Sequence, residues 1–344
     1  MSGAPQTPEI EKLDADLAAL AIEGHWKSNQ DGLPAEPGGT AQPFIWHWDM
    51  LYPNVLRAGE LLGTEAGASR RTLRLCTPGV PGKATTRTIH TSIQMVKPGE
   101  VAQMHRHSIS AFRFVISGSG GVTMVDGQRF AMEPNDLVLT PQWCWHEHSN
   151  DAVEPMIWID GHDMPLMRAL DTIFFQSSKA HNHPDADEAE RQARARPFVY
   201  RGEDYLAQAR ALGAAAWSPT DGRVLEYRDP VGGGATMPTI MCRLHRFDAG
   251  EATLRHRHTA SSVYYVVEGR GTTTVGDTTL DWRAGDLFVV PNWLWHSHRI
   301  ASGAAATLFS ASDDPILAAL GHLRSERATT AETGLFRNGE RRHG

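Results

Sequence analysis

Hydrophobic and polar positions alternate along two long blocks of the chain, and this pattern predicts β-strands in both. In the first block, residues 70–162, short runs rich in branched and aromatic residues are separated by turn residues such as Pro98-Gly99. The runs occupy residues 87–95, 112–117, 121–126, 136–140 and 155–160. The second block, residues 237–312, has the same character. The pattern therefore predicts a mainly all-β protein with two similar β units.

Outside the two blocks, apolar residues recur at helical spacing, and polar stretches separate them. Helices are predicted over residues 9–25, 163–178 and 203–213, surface connections over 28–43 and 179–195, and a loosely held tail from 326. The first of these helices is amphipathic, so we expect its apolar face to pack on a neighbour. Five segments follow: an N-terminal helix and arm (1–69), the first β unit (70–162), a helical linker (163–236), the second β unit (237–312) and a C-terminal tail (313–344).

The two β units carry the same histidine motif. Gly99-Glu-Val-Ala-Gln-Met-His105-Arg-His107 matches Gly250-Glu-Ala-Thr-Leu-Arg-His256-Arg-His258, and Pro141-Gln-Trp-Cys-Trp-His146 matches Pro291-Asn-Trp-Leu-Trp-His296. Histidines two apart on a strand share one face, so an HxH pair can hold one ion together with a third histidine from another strand. The repeat predicts a duplicated fold and a metal site at His105, His107 and His146. Three partly exposed histidines with no common ligand are the alternative.

Composition narrows the possible partners. The chain has 344 residues and a formal net charge of −7, which argues against a nucleic-acid or anionic-membrane surface. Its three cysteines are too few and too scattered for a disulfide framework, so we expect a reducing, cytoplasmic location. The N-terminus lacks the features of a signal peptide, and no run of about 18 apolar residues predicts a membrane span.

The motifs resemble those of the cupin superfamily, whose barrels carry an HxH pair, a glutamate and a later histidine. Both copies here replace the glutamate, by Ala111 and Ser262. In this respect the chain resembles the bicupin ring-cleaving dioxygenases that act on gentisate, salicylate and 1-hydroxy-2-naphthoate. The resemblance implies two double-stranded β-helix (jelly-roll) barrels, the first of them catalytic, and a homotetramer.

Further stretches support the same family. His105-Arg-His107-Ser-Ile-Ser-Ala-Phe-Arg113-Phe, Val125-Asp-Gly127, Pro141-x-Trp-x-Trp-His146-x-His148 and Tyr227-Arg-Asp-Pro-Val-Gly-Gly resemble its signatures. The resemblance covers roughly residues 45–312. It implies an Fe(II)-dependent, extradiol-type enzyme that inserts both atoms of O2 between the carboxyl-bearing and hydroxyl-bearing carbons of a salicylate-type acid. Three neutral imidazoles leave Fe(II) its full charge, which favours a dianionic chelator. The substrate itself stays open among gentisate, salicylate, a nitro- or halo-salicylate and 1-hydroxy-2-naphthoate.

The alternation of side chains along the predicted strands, together with the family resemblance, indicates the other candidate site residues. Arg113 alternates with Phe112 and Phe114, so it points to the opposite face, where its guanidinium could bind a carboxylate or stabilise a developing oxyanion. A surface salt bridge is the alternative. In the second repeat Tyr264 takes this place, so that site lacks the cation, and whether His256, His258 and His296 hold a second metal stays open.

The family resemblance implies a substrate-contacting face around the first metal. His90, Ser92 and Gln94 share one face of a strand, and we expect them to line the barrel and bind substrate. His90 stands where the family commonly has Trp or Tyr, which favours a ring substituent that accepts a hydrogen bond. The remaining candidates are His148 as a second catalytic residue beside Arg113, Asp160 as a supporting or substrate-binding carboxylate, and Arg70 as a substrate-binding residue before the barrel.

Two other classes of function compete with this interpretation. A non-catalytic bicupin that binds a small molecule would not need the intact triads or Arg113. A different cupin enzyme, such as an isomerase or a decarboxylase, usually keeps the glutamate that Ala111 and Ser262 replace. The sequence therefore favours the dioxygenase.

Overall fold

The computed structural model describes residues 7–27, 34–62, 71–178 and 198–328. It contains two compact units, Met1–Gly38 and Gly39–Gly344. In the first unit, α1 (Pro8–Ala18) begins where the Thr7 side chain accepts a hydrogen bond from the Ile10 backbone N–H. It ends well before the predicted residue 25, since Ala21 has a φ of 55°, outside the right-handed helical region. On its predicted apolar face, Leu13 and Leu20 are exposed and Ile10 and Leu17 are half-buried.

The second unit holds both predicted β units, each built from two sheets. The first barrel contains β2 (Arg71–Leu75), β3 (His90–Val96), β4 (Val101–His107), β5 (Ala111–Ser117), β6 (Gly121–Val125), β7 (Gln128–Met132), β8 (Leu137–Thr140), β9 (His146–Ser149) and β10 (Met156–His162), after β1 (Phe44–Trp46) and α2 (Trp48–Leu61). One sheet has the order β8-β5-β10-β3-β2 and the other β4-β9-β6-β7. The five strands predicted in this block are present, and β4 and β9 carry the histidines.

The second barrel repeats this arrangement. The connecting elements are α3 (Met164–Ala169), β11 (Phe175–Ser177), β12 (Val199–Tyr200) and α4 (Gly202–Ala211). The second barrel and its end contain β13 (Trp217–Ser218), β14 (Gly222–Glu226), β15 (Met241–Phe247), β16 (His256–His258), β17 (Ser262–Glu268), β18 (Arg270–Val275), β19 (Thr278–Arg283), β20 (Leu287–Val290), β21 (His296–Ile300), β22 (Ala306–Ser312), α5 (Asp314–Ala319) and β23 (Ser325–Arg327). Its sheets have the orders β1-β20-β17-β22-β15-β14-β13 and β19-β18-β21-β16-β23. The fold is a bicupin, as the sequence predicted.

The connecting segment differs from its prediction as one long helix over 163–178. Only Met164–Ala169 is helical, and Phe175–Ser177 runs antiparallel to β4, with Ser177 opposite His105. A three-residue edge strand is too short to show a period of two, so the apolar spacing of the whole stretch favoured a helix. The tail likewise begins with a short edge strand, because Ser325–Arg327 pairs antiparallel with β16. The connection predicted over 179–195 and the rest of the tail lie outside the described residues.

The main hydrophobic core joins the broad sheets of the two barrels. Phe112 and Phe114 of β5 contribute to it, and the Phe114 ring lies 4.3 Å from that of Phe309 on β22. Because side chains alternate along a strand, the residue between them, Arg113, faces the interior of the first barrel. The same alternation puts Ile93 in the core and its neighbours on β3 inside the barrel. The inter-barrel core therefore fixes which side chains line the first barrel.

Two equivalent hydrogen bonds connect the barrels at the edge of this core. Thr88 of the first barrel donates to Asp313 Oδ2 of the second (2.5 Å), and Thr239 of the second donates to Asp163 Oδ2 of the first (2.6 Å). Burial raises the pKa of Asp313 to about 6 and also raises the pKa of Asp163. Among the described helices, none is long and apolar enough to cross a membrane.

Candidate metal centre and substrate cavity

The first barrel brings His105, His107 and His146 together as the sequence predicted. His105 on β4 stands directly opposite His146 on β9, and their ring centroids are 4.1 Å apart. His107 lies two residues further along β4, with its ring 4.7 Å from that of His146. One nitrogen of each ring lies within 4.8 Å of the others, and all three residues are buried. This is the arrangement of three ligands on one face that a transition-metal site needs.

The hydrogen bonds of the three rings fix which nitrogen faces the cluster. Each Nδ1 lies against a backbone carbonyl: His105 against Gln103 (2.8 Å), His107 against Ile109 (2.8 Å) and His146 against Cys144 (3.0 Å). A carbonyl only accepts, so each Nδ1 carries a proton and each Nε2 is the nitrogen available to a metal. His146 Nε2 is buried with no hydrogen-bond partner among the described residues.

The protonation state of the cluster also fits a metal. Burial, together with His105, His107 and Arg113, lowers the pKa of His146 well below its ordinary value of 6.5. The ring is therefore neutral at pH 7, as a ligand must be. Three imidazole ligands suit iron, zinc, copper or nickel rather than a hard cation such as Mg²⁺, so the residues present fit the iron that the family resemblance implies.

A cavity of about 230 Å³ opens beside the triad. The sequence-predicted residues that line it, besides the metal ligands, are His90, Ser92, Gln94, Arg113, His148 and Asp160. Arg70 lies outside the described residues. A larger groove of about 690 Å³ is found beside α2 and the outer strands of the second barrel, but neither triad lines it. The smaller cavity is therefore the candidate active site.

Arg113 is held in this cavity by two partners. Its Nη1 donates to Thr140 Oγ1 (2.6 Å), and its Nε lies 3.2 Å from Asp160 Oδ1 on the neighbouring strand β10. Both members of the ion pair are buried. The alternative of a surface salt bridge is wrong for Arg113, because the pair lies inside the barrel. Asp160 therefore contacts the guanidinium directly, and the supporting role that the sequence suggested for it stays a prediction.

The other predicted side chains form a polar wall around the cavity. The His90 ring stacks on that of His162 with centroids 4.8 Å apart. Burial, Arg74 and Arg168 lower the pKa of His90 to about 4, so this ring is neutral at pH 7. Ser92 and Gln94 follow on the same face of β3 and are buried. The wall can therefore donate and accept hydrogen bonds without adding charge.

His148 lies on the same face of β9 as His146. Its Nδ1 forms a 2.8 Å hydrogen bond with Thr123 Oγ1, and its ring centroid is 5.7 Å from those of both His146 and Trp158. The ring is thus packed and oriented beside the triad. This position is compatible with the catalytic role that the sequence suggested, which stays a prediction.

Two of the cavity residues that the sequence alone did not indicate lie on β2. Thr72 and Arg74 of β2 pair with Gln94 and Ser92 of β3, so they share the cavity-lining face. Their alternation with Leu73 and Leu75 can be read from the sequence, but the register of β2 against β3 cannot. Arg71 points elsewhere and pairs with Glu100. Arg74 and Arg113 therefore supply two cations, against one lining carboxylate, Asp160.

The second barrel holds an equivalent triad in a different cavity. The ring centroids of His256, His258 and His296 are 4.0, 4.9 and 5.9 Å apart, close to the spacings in the first triad. A cavity of about 460 Å³ lies beside them. Tyr264 occupies the place of Arg113, as predicted, and Arg243 the place of Ser92.

Comparison with known proteins places this geometry in a family. The cupin domain profile matches residues 92–162 and 243–312, which cover most of the two barrels. The chain is 36% identical over 338 residues to 5-aminosalicylate 1,2-dioxygenase from Comamonas sp, covering 92% of this chain and 90% of that protein. It is 35% identical over 336 residues to gentisate 1,2-dioxygenase 1 from Aquipseudomonas alcaligenes, covering 92% and 94%.

A solved structure agrees along almost the whole length. The salicylate 1,2-dioxygenase of Pseudoaminobacter salicylatoxidans, crystallised as an adduct with gentisate, superimposes with a TM-score of 0.82 at 33% sequence identity. The match covers 95% of this chain and 97% of that one.

Proposed function

Because this chain belongs to the family of bicupin ring-cleaving dioxygenases, we propose that it opens the ring of a salicylate-type aromatic acid with Fe(II) held by His105, His107 and His146. The observation that carries this proposal is the first cavity, where a buried histidine triad lies beside two arginines and one carboxylate. A divalent ion there leaves the cavity strongly positive, which favours a dianionic hydroxy acid.

Different residues of the first barrel bind the substrate and orient the groups that contact it. Arg113, oriented by Asp160 and Thr140, presents its guanidinium to the substrate carboxylate or to an oxyanion that develops during ring opening. His148, oriented by Thr123, offers a second hydrogen-bonding group on the triad side. Bound Fe(II) would supply the chemistry that activates O2 and the hydroxy acid. Burial of these groups keeps bulk water away from them.

The reaction follows from the substrate class. We propose an extradiol-type course in which the bond between the carboxyl-bearing and hydroxyl-bearing carbons breaks and both oxygen atoms enter a ring-open oxo-acid. We expect His90, whose ring stacks on that of His162, to contact the substrate ring, so a substituent that hydrogen-bonds is favoured over an unsubstituted ring. 5-Aminosalicylate, gentisate and 5-nitrosalicylate all carry such a group. A homotetramer and a cytoplasmic location stay predictions.

The test is oxygen uptake by the full-length protein loaded anaerobically with Fe(II). Salicylate, gentisate, 5-aminosalicylate, 5-nitrosalicylate and 1-hydroxy-2-naphthoate are offered in parallel, and the products are followed by absorbance and mass spectrometry. The proposal expects uptake matched by ring-opened product, fastest with a ring-substituted salicylate. Iron-loaded protein that is inert toward all five acids would favour the competing interpretation, a bicupin with another chemistry or a binding role.

A further inference from the structure

The histidine triad of the second barrel repeats the local geometry of the first. His256 on β16 stands directly opposite His296 on β21, as His105 stands opposite His146. One nitrogen of each of the three rings lies within 4.8 Å of the others. His258 completes the set two residues along β16, so three imidazoles again converge on one point.

The hydrogen bonds of this triad prepare it for a cation. Each Nδ1 lies against a carbonyl oxygen: His256 against Leu254 (3.0 Å), His258 against Ala260 (2.8 Å) and His296 against Leu294 (2.9 Å). Nε2 is therefore the nitrogen of each ring that is left for a metal. His296 Nε2 is buried with no hydrogen-bond partner among the described residues, a situation that is unfavourable unless a ligand satisfies the nitrogen. A metal ion would satisfy all three nitrogens at once.

The turn before the third histidine is also the same in both barrels. Trp143 and Trp293 have φ angles of 67° and 59°, a left-handed conformation that is unfavourable for a tryptophan. Each of their backbone N–H groups donates to the carbonyl of the HxH strand, His107 (2.8 Å) in one case and His258 (2.7 Å) in the other. The second barrel thus keeps a strained turn whose effect is to place His296 against the other two ligands.

The surrounding cavities, in contrast, have opposite electrostatic character. The second is lined by four carboxylates, those of Asp221, Glu226, Asp314 and Glu326, and by the guanidiniums of Arg243 and Arg327. Arg243 is already bound to Glu226 (3.1 Å) and Asp314 (2.7 Å). An acidic cavity attracts a divalent cation but leaves little net positive charge for a dianionic acid.

We propose that His256, His258 and His296 form a second, independent binding site for a divalent transition-metal ion, which takes no part in ring opening. Imidazole ligands suit zinc, iron, copper or nickel, and Zn²⁺ is a convenient probe because it has no redox chemistry. This proposal concerns metal binding in the second barrel and does not depend on turnover in the first.

The experiment counts zinc in the chelator-stripped full-length protein after equilibrium dialysis against Zn²⁺. His146→Ala and His296→Ala are the matched variants, because they remove the same ligand from the two copies. Wild type should hold two ions per chain, each single variant one, and the double variant none. His146→Ala loaded with Fe(II) should bind metal and consume no oxygen with a salicylate.

Thermal unfolding of His146→Ala provides a second measurement should His296→Ala fail to fold. Zn²⁺ should raise its melting temperature, since a ligand that binds only the folded state stabilises it. One ion in wild type with none in His146→Ala, or no zinc-dependent shift in that variant, would overturn the proposal. Oxygen uptake by Fe(II)-loaded His146→Ala would overturn the statement that the second site takes no part in ring opening. Wild type that binds two ions but opens no ring would instead contradict only the proposed function.

Discussion

Replacing Arg113 with alanine should lower ring opening about a thousandfold while the metal triad stays intact. The guanidinium is buried and faces the candidate active site, with Thr140 at 2.6 Å and Asp160 at 3.2 Å. A charge pair about 4 Å apart contributes about 4 kcal/mol at an effective dielectric constant of about 20, which corresponds to roughly 10³ in rate when the charge develops during the reaction. Removal of one such donor from other enzymes costs about 10²–10³.

The substitution also has a structural cost that must be separated from the catalytic one. Breaking a buried ion pair leaves Asp160 unpaired and should lower the free energy of unfolding by about 3–5 kcal/mol. The double variant Arg113→Ala/Asp160→Asn removes the lone charge, so it should recover part of that stability and none of the activity. Asp160→Asn alone keeps the guanidinium but loses its orientation, and its activity should fall between wild type and Arg113→Ala.

The matched control is Arg243→Ala in the cavity of the second barrel. Arg243 is likewise held by carboxylates, Glu226 and Asp314, but lies away from the first triad. The assays are kcat and kcat/KM by oxygen electrode, urea unfolding and bound iron per chain. An Arg113→Ala variant within about threefold of wild type at full iron loading, or an equal loss of activity in Arg243→Ala, would refute the role given to Arg113.

Three further predictions test the wall, the inter-barrel contact and the core. His90→Phe should lower the ratio of kcat/KM for 5-aminosalicylate to that for salicylate by about tenfold, because phenylalanine cannot make the hydrogen bond that the neutral imidazole of His90 makes to the amino group. An unchanged ratio would show that His90 does not determine specificity. Asp313 has its pKa raised from 3.8 to about 6, so the free energy of unfolding of wild type should fall by about 2 kcal/mol as pH rises from 4 to 6, relative to Asp313→Asn; unfolding free energies, measured with urea, that follow the same pH profile in both proteins would contradict this. Phe114→Ala should cost about 3–5 kcal/mol in urea unfolding, since its fully buried ring stacks on Phe309; a loss under 1 kcal/mol would show that the core is not continuous there.

The parts of the site that were predictable are those set by alternation along a single strand. The HxH spacing placed His105 and His107 on one face, and the apolar neighbours of Arg113 placed its guanidinium inside the barrel. Duplication then identified His256, His258 and His296 without further information. In each case a local period of two, together with one apolar face, was sufficient.

The parts that were missed depend on contacts between distant segments. Arg74 lines the cavity because β2 pairs with β3 in one register, which no local pattern specifies. Phe175 packs on His105 with ring centroids 5.3 Å apart, although its strand is too short to have a readable period. Helix α2 was not predicted; it contains Pro53, a residue that disfavours a helix interior, and packing of Val55 in the main core stabilises it.

The central claim is that the first barrel catalyses insertion of both atoms of one O2 molecule into a salicylate-type acid. Its most direct test is a single turnover of Fe(II)-loaded protein under ¹⁸O2, with the most active acid of the panel, followed by mass spectrometry of the ring-open product. The account predicts two ¹⁸O atoms per product molecule, after correction for exchange with water, and none from His146→Ala. Product with one ¹⁸O atom and an intact ring would indicate a monooxygenase and contradict the account.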